Sequence, residues 1–406
     1  MVIRGKVLPL LKSNLRYYAS FANYDLAKIY LGGFSPDIRD TAEHLYAAGR
    51  WICRAQDAFD DGGVARSYSL IYSPYFRCKG WIPSYPETTG YIIPTMFDYA
   101  NYSGTDEMRL RAIRMADWEC EVQMDDGAVQ GGTIDQVPTP AIFNTGQVIF
   151  GWVRTYLETG KEKYLTSAIK AGEYLVQQQD SDGKWRKNLS NYASKEMESY
   201  TYNTRTAWSL IYLYSVTKEE KYREAAVRNI EWALGQQNEN GWFRHNCLSD
   251  PSCPLLHTIA YSIRGILETG IYTKERKYVE AARKASEALL SKQRPDGGLP
   301  GRFRQNWEPA VQWSCLTGNA QISIIWGRLY QHTKEPMFLD GMKKANQFMK
   351  KVQIMRSGNP DIHGGIGGSE PIHGNYGRFE VLNWAVKFFM DALMLESSIE
   401  RNPGND

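Results

Sequence analysis

The sequence predicts a single all-α domain, an (α/α)6 toroid of outer and inner helix rings, and three observations carry that prediction. A helical unit recurs: "DEMRLRAIRMADWECEVQMDDGAV", "EKYLTSAIKAGEYLVQQQDSDGKW", "EKYREAAVRNIEWALGQQNENGWF" and "RKYVEAARKASEALLSKQRPDGGL", with the spacing from Met108 to Gly127 kept from Tyr164 to Gly183, Tyr222 to Gly241 and Tyr278 to Gly297. A Gly-, Pro- and aromatic-rich stretch and then a more apolar helical segment follow each unit. Short polar turns such as "GKEK" and "TKEEK" lead from an apolar segment to the next unit.

Taken in order, "EHLYAAGRWICRAQDAFDDGGV" is the first outer helix, fitting the repeat with Glu43 and Gly62. "PMFLDGMKKANQFMKKVQIMRSG" is the sixth and lacks the D-G end. Apolar residues three and four apart give each unit one buried face, and a glycine in the left-handed conformation stops it. The second helices begin near "TTGYIIPTMFDYA", "NTGQVIFGWVRTYLETG", "NTRTAWSLIYLYSVT", "HTIAYSIRGILETG", "LTGNAQISIIWGRLYQHT" and "LNWAVKFFMDALML". A helix apolar on all sides must be buried, so these form the inner ring. The toroid is expected over residues 36–397, with residues 1–35 a helical segment packed outside it and 398–406 a tail.

Hydrophobic content of 43% and charged content of 23% describe a chain with ample core; a net charge of +3 argues neither for nor against nucleic acid, but no basic tract or RNA-binding signature is present. The six cysteines include no CxxC pair and read as buried thiols. His363 and His373 fit no zinc spacing, so neither metal nor cofactor is expected. No apolar run is long enough for a signal peptide or a membrane span, which makes a cytoplasmic protein the expectation. The 26 Tyr, 14 Phe and 12 Trp exceed what a helical core needs. Stacking on a ligand and packing of long loops are the two explanations.

All six long loops lie at one end of such a ring, where the inner helices begin, and binding residues collect on loops of a rigid scaffold. Six converging helix N-termini favour an anionic or oxygen-rich ligand there. The candidate catalytic residues are Glu87, His257, Tyr85, Tyr202 and Arg205. The candidate substrate-binding residues are Trp81, Thr88, Asn144, Gln147, Asn203, Trp208, Tyr261, Arg304, Trp307, Trp313, Asn319, His373, Tyr376 and Asn383. Amides, hydroxyls, arginines and flat aromatics together suit a sugar chain. Each has a structural alternative: Asn or Thr at a helix start is a cap, tryptophans wedge loops, and Arg205 serves a carboxylate such as Glu198. Glu87, after Pro86 among Tyr85, Tyr91 and Trp81, is either a dipole-favoured first-turn glutamate or a general acid with a raised pKa.

On these residues the chain resembles the six-hairpin superfamily of carbohydrate-active enzymes over nearly its whole length. "NTGQVIFGWVRTYLETGKEKYLTSAIKAGEYLV" looks like the helix pairs of the glucuronyl C5-epimerase C-terminal domain. "GWIPSYPETTGYIIPT" looks like an uncharacterised family of bacterial exopolysaccharide-biosynthesis proteins, with Tyr85, Glu87, Thr88, Thr89 and Gly90 as motif positions. "YLVQQQDSDGKW" resembles the QW motif of terpenoid cyclases, but no DxDD motif and no Asp/Cys/His zinc set accompanies it.

The resemblance implies an enzyme acting on a poly- or oligosaccharide, acidic and uronate-containing, and a glycoside hydrolase first. Hydrolysis needs a second carboxylate, for which Asp61, Glu308 and Glu370 are candidates. A polysaccharide lyase or uronyl C5-epimerase with a Tyr or His base is the alternative, and a non-catalytic glycan-binding protein of polysaccharide assembly a further one. No nucleic-acid partner and no membrane insertion are expected.

Overall fold

Twelve helices alternate between two rings in a computed structural model that describes residues 38–401 apart from 190–196 and 249. The helical segment expected over residues 1–35 lies outside the described residues. The outer ring is α1 (Thr41–Asp57), α3 (Asp106–Glu121), α5 (Glu162–Gln178), α7 (Glu220–Leu234), α9 (Arg276–Leu290) and α11 (Pro336–Val352). The inner ring is α2 (Pro86–Ser103), α4 (Ile142–Thr159), α6 (Thr204–Thr217), α8 (Leu256–Thr273), α10 (Leu316–Thr333) and α12 (Asn383–Arg401). Each inner helix packs on the next, and α12 closes the circle on α1 and α2. The last helix runs to Arg401, beyond the expected boundary at 397.

The two ends of the ring differ for a local reason. Five inner helices stop at a left-handed residue, Gly104, Gly160, Lys218, Lys274 or Lys334, and its N–H bonds back to the last helical turn. The chain then re-enters the outer ring within two residues. At the other end the outer helices hand over to long loops, and these contain strands that the all-α expectation did not include. Strands β1 (Ser67–Ser73) and β2 (Cys78–Trp81) form a hairpin, and β5 (Glu380–Leu382) pairs with β1, joining the first loop to the last. Strand β3 (Ser314–Cys315) pairs with β4 (Ser369–Glu370).

A single device repeats around the outer ring. Gln56, Gln123, Gln179, Gln237, Gln293 and Gln353, each at or just beyond an outer-helix end, donate through Nε2 to the carbonyl of a turn glycine and to a carbonyl of the next outer helix, at 2.8–3.2 Å. The glycines are Gly62, Gly127, Gly183, Gly241, Gly297 and Gly364, all at positive φ. The sixth unit, which lacks a D-G end, therefore has its glycine further along, and Gln353 reaches His44 to shut the ring. Each glutamine thereby gives the turn-glycine carbonyl a donor and ties the turn to the body of the neighbouring outer helix.

Candidate active site

The inner-helix N-termini and the long loops enclose a cavity of about 420 Å³. Tyr85, Glu87, Thr88 and Tyr91 reach it from the start of α2, Phe143 from α4, His257, Thr258 and Tyr261 from α8, and Trp384 from α12. Tyr202 comes from a single 3₁₀ turn before α6. Arg66, Leu248, Leu255, Arg302, Asn375, Tyr376 and Gly377 complete the wall.

Glu87 is the only carboxylate lining this cavity among the described residues. Pro86 opens α2 and leaves Glu87 in its first turn, and the Tyr85 hydroxyl donates to Glu87 Oε2 at 2.6 Å. Glu87 opens to the cavity and is enclosed by protein on every other side. Burial pushes its carboxyl up to about 7, while the Tyr85 hydrogen bond and the positive charges of Arg205 and Arg66 pull the other way. It is therefore divided between acid and carboxylate at neutral pH.

His257 Nδ1 lies 2.9 Å from Gln321 Oε1. An amide oxygen only accepts, so Nδ1 carries the proton and Nε2 keeps its lone pair. Burial pulls the imidazole pKa down to about 4, opposed by the Gln321 bond and aided by the charge of Arg205, so the ring is neutral. It sits 4.4 Å from Tyr261 and 5.5 Å from Tyr376, centroid to centroid. Tyr202 stacks on Tyr200 and meets Phe143 edge-on. Burial first of all raises the phenols of Tyr91, Tyr202, Tyr261 and Tyr376, which leaves them as proton-bearing donors. Arg66 is anchored by Glu380 and Ser67, with its guanidinium between Phe76 and Trp384, and Arg302 is anchored by the Cys253 carbonyl.

Of the residues singled out from sequence, Tyr85, Glu87, Thr88, Tyr202, His257, Tyr261 and Tyr376 come together here. The others do not line the cavity. Arg205 lies below it, its Nε donating to Gln147 Oε1 at 2.6 Å, and Trp208 faces the opposite end of the ring. Glu198, suggested as a partner of Arg205, is instead exposed beside Lys184 and Arg186. Asn144 donates to the Gln130 carbonyl, Asn319 holds both backbone groups of Leu299, Asn383 reaches Ala65 O and Thr88, and Asn203 is the buried N-cap of α6. Trp81 packs on Trp51 and Tyr68, Trp307 is buried against Trp242 and bonded to Asn240 O, and Trp313 covers Gly301 and Gly374. Arg304 and His373 are exposed on the loops.

The second carboxylate also goes elsewhere. Asp61 accepts from Gly63 N and Ser84 Oγ, Glu308 is exposed, and Glu370 sits in β4. Phe143, Leu248, Leu255, Thr258 and Asn375 had no signal by residue type. Two of them stand next to a candidate, Phe143 before Asn144 and Thr258 after His257, but one residue rotates a helix by about 100°, so only a helix already placed shows which of the two faces the cavity.

Solved structures share this architecture at low sequence identity. An unsaturated glucuronyl hydrolase specific for heparin superposes with a TM-score of 0.70 at 14% identity, covering 89% of this chain and 98% of that one. An unsaturated glucuronyl hydrolase from Bacillus sp. GL1, responsible for the degradation of glycosaminoglycan, gives 0.69 at 14%, covering 87% and 96%. Another from Streptococcus agalactiae gives 0.62 at 13%, covering 91% and 94%. The six-hairpin toroid is thus the fold of this chain. The family described as squalene-hopene cyclase C-terminal domain matches residues 83–269, a stretch of stacked helix pairs with three of the Gln–Gly turns. No curated protein matches the chain.

Proposed function

We propose that this toroid is a glycan-processing enzyme, a glycoside hydrolase that takes the acidic end of a uronate-bearing oligosaccharide into the cavity at its long-loop face. The observation that carries the reading is Glu87, a lone carboxylate with a pKa near neutrality, bonded to Tyr85 in an aromatic-walled cavity. Tyr91 and Tyr261, rooted in two inner helices, line the cavity on the side of the ring, and we take its occupant to be a chain end rather than a chain interior. The shared fold supports the same class: one structural neighbour was solved with the disaccharide dGlcA-GalNAc6S.

A single carboxylate constrains the substrate. Hydrolysis of an ordinary acetal uses two carboxyl groups about 5–10 Å apart. An unsaturated uronyl residue is an enol ether, and one acid suffices. Glu87 gives its proton to the C4 carbon of the double bond, and the positive charge is shared with the ring oxygen. Water adds at C5 and returns a proton to Glu87; the hemiketal opens at C5–O5 to a ketone, and the hemiacetal left at C1 breaks down to an aldehyde and releases the next sugar. Arg66 and Arg302 meet the uronate carboxylate, while Phe143, Tyr376 and Trp384 cover the ring faces.

One observation favours a second reading. His257 is neutral with Nε2 unprotonated, beside proton-bearing tyrosines, a pairing suited to removing the C5 proton of a saturated uronate, as a lyase or C5-epimerase does. Incubation with unsaturated, saturated and neutral oligosaccharides separates the two. Release of the terminal unsaturated sugar with loss of its absorbance supports the hydrolase. A newly formed conjugated product, or solvent deuterium at C5 without cleavage, replaces it with the second reading. Glycan bound equally by wild type and Glu87→Gln, with no turnover by either, would leave only a binding protein.

A further inference from the structure

The inner ring encloses a second cavity, of about 650 Å³, at the opposite end, where the two-residue turns lie. Tyr91 borders both cavities, and this second one is basic. Arg264 and Arg328 share one carboxylate, Glu268, at 2.6 and 3.1 Å, and Lys387 is paired with Asp391. The carboxylate they share accounts for Arg264 and Arg328.

Arg205 is not accounted for that way. It stands in the first turn of α6, where the helix dipole repels a cation, and it is only 3% exposed. Its Nε donates to the neutral Gln147 amide, and its two Nη atoms make no hydrogen bond among the described residues. Five aromatic rings, of Tyr91, Phe150, Trp208, Tyr261 and Phe388, surround the guanidinium at 5.0–5.7 Å. Ring faces offset part of the burial of a cation, but a buried charge is ordinarily matched by an opposite one. No carboxylate among the described residues bonds to Arg205, and the guanidinium lines a cavity wide enough for a sugar.

We propose that this cavity is a second ligand site, for a small sugar bearing an oxyanion. The carboxylate or phosphate of the sugar meets Arg205 Nη1 and Nη2, and its ring face lies on Trp208 and Phe150. Carboxylate and phosphate share the geometry a guanidinium recognises, so the chemistry admits a sugar acid or a sugar phosphate.

Calorimetric titration of the full chain with glucuronate, glucose 1-phosphate, glucose and inorganic phosphate tests the site. One of the two charged sugars should bind and glucose should not, and which one binds identifies the anion. Arg205→Gln should weaken that binding at least about tenfold. Ser398→Trp, an exposed rim position far from Arg205 in sequence, should block access in a chain whose thermal unfolding is unchanged. Arg302→Ala, which removes an anion-binding group of the long-loop cavity, should bind the charged sugar as wild type does, which separates this site from that cavity whatever reaction occurs there. Absence of binding by wild type, equal binding of glucose, or full affinity in Ser398→Trp overturns the proposal. Inorganic phosphate binding as tightly as the charged sugars overturns its sugar part.

Discussion

The hydroxyl of Tyr85 donates a 2.6 Å hydrogen bond to Oε2 of Glu87, two residues further along the chain. The N-cap of the first inner helix thereby holds the carboxylate of its first turn. That bond favours the charged form, burial favours the neutral one, and burial wins by enough to bring the group to about 7.

Glu87→Gln should lower kcat by about 10²–10⁴-fold, the usual worth of a general acid–base group. The same change should stabilise the fold at alkaline pH. The folded pKa lies above the ordinary carboxyl value, so the stability Glu87 contributes is intact below about 4.5 and lost as pH rises through about 7. A higher melting temperature at pH 8, worth up to about 3 kcal/mol, with no gain at pH 4 is expected. A lower one at both would mean that Glu87 is structural.

For the hydrolase the pH profile of kcat/KM should fall on the alkaline side as Glu87 loses its proton at about 7, and in the second reading an acid limb at about 4 belongs to His257. Tyr85→Phe removes a bond to the charged carboxylate and should move the alkaline limb upward. If that limb stays in place, it belongs to another group.

Gln321 holds His257 at Nδ1 without charge. Gln321→Glu sets a carboxylate there, favours the imidazolium and should shift the acid limb toward neutrality. A profile identical to wild type would remove His257 from the reaction.

Gln293 ties α9 to Gly297 and to Gly341 of α11. Gln293→Ala should cost about 1–3 kcal/mol in urea unfolding, because the buried Gly297 carbonyl loses its side-chain donor and the tie to α11 is broken. Gly297→Ala should cost more, since φ is +91° and a Cβ would collide with the Lys344 carbonyl oxygen.

Both carboxyl oxygens of Glu119 are buried without a well-formed hydrogen bond among the described residues, and burial, then the charge of Asp61, raises its pKa against the pull of the nearby Gly90 backbone. Stability from this group is present at acid pH and lost as pH rises above the ordinary carboxyl range. Glu119→Gln should therefore be more stable at pH 7 by about 1–3 kcal/mol, with the gain disappearing near pH 4, measured by unfolding at both.

The helix pairs were legible in the sequence because their signals are local. The 3.6-residue period, a left-handed glycine and a two-residue return turn act within one unit, and the repeat multiplied them. Glu87, Tyr85 and His257 were legible for the same reason, as polar groups at inner-helix starts on the loop face. Asn144, Asn319 and Asn383 looked equivalent to them by that rule. Their amides instead bind the loop backbone, where buried peptide groups need partners.

By itself, then, the sequence determined the double ring, the end where its long loops gather and the carboxylate that lines the cavity there. Tertiary structure alone decided which way each side chain faced. Successive residues of an inner helix point about 100° apart, so Phe143 enters the cavity while Asn144 is spent on a loop, and Trp384 enters while Asn383 does not. It also decided that Asp61, Glu308 and Glu370 stay away from Glu87, and that Arg205 turns from the mouth into its ring of aromatic faces. Those outcomes depend on how six long loops fold over one another, and no local pattern in the chain encodes that contact.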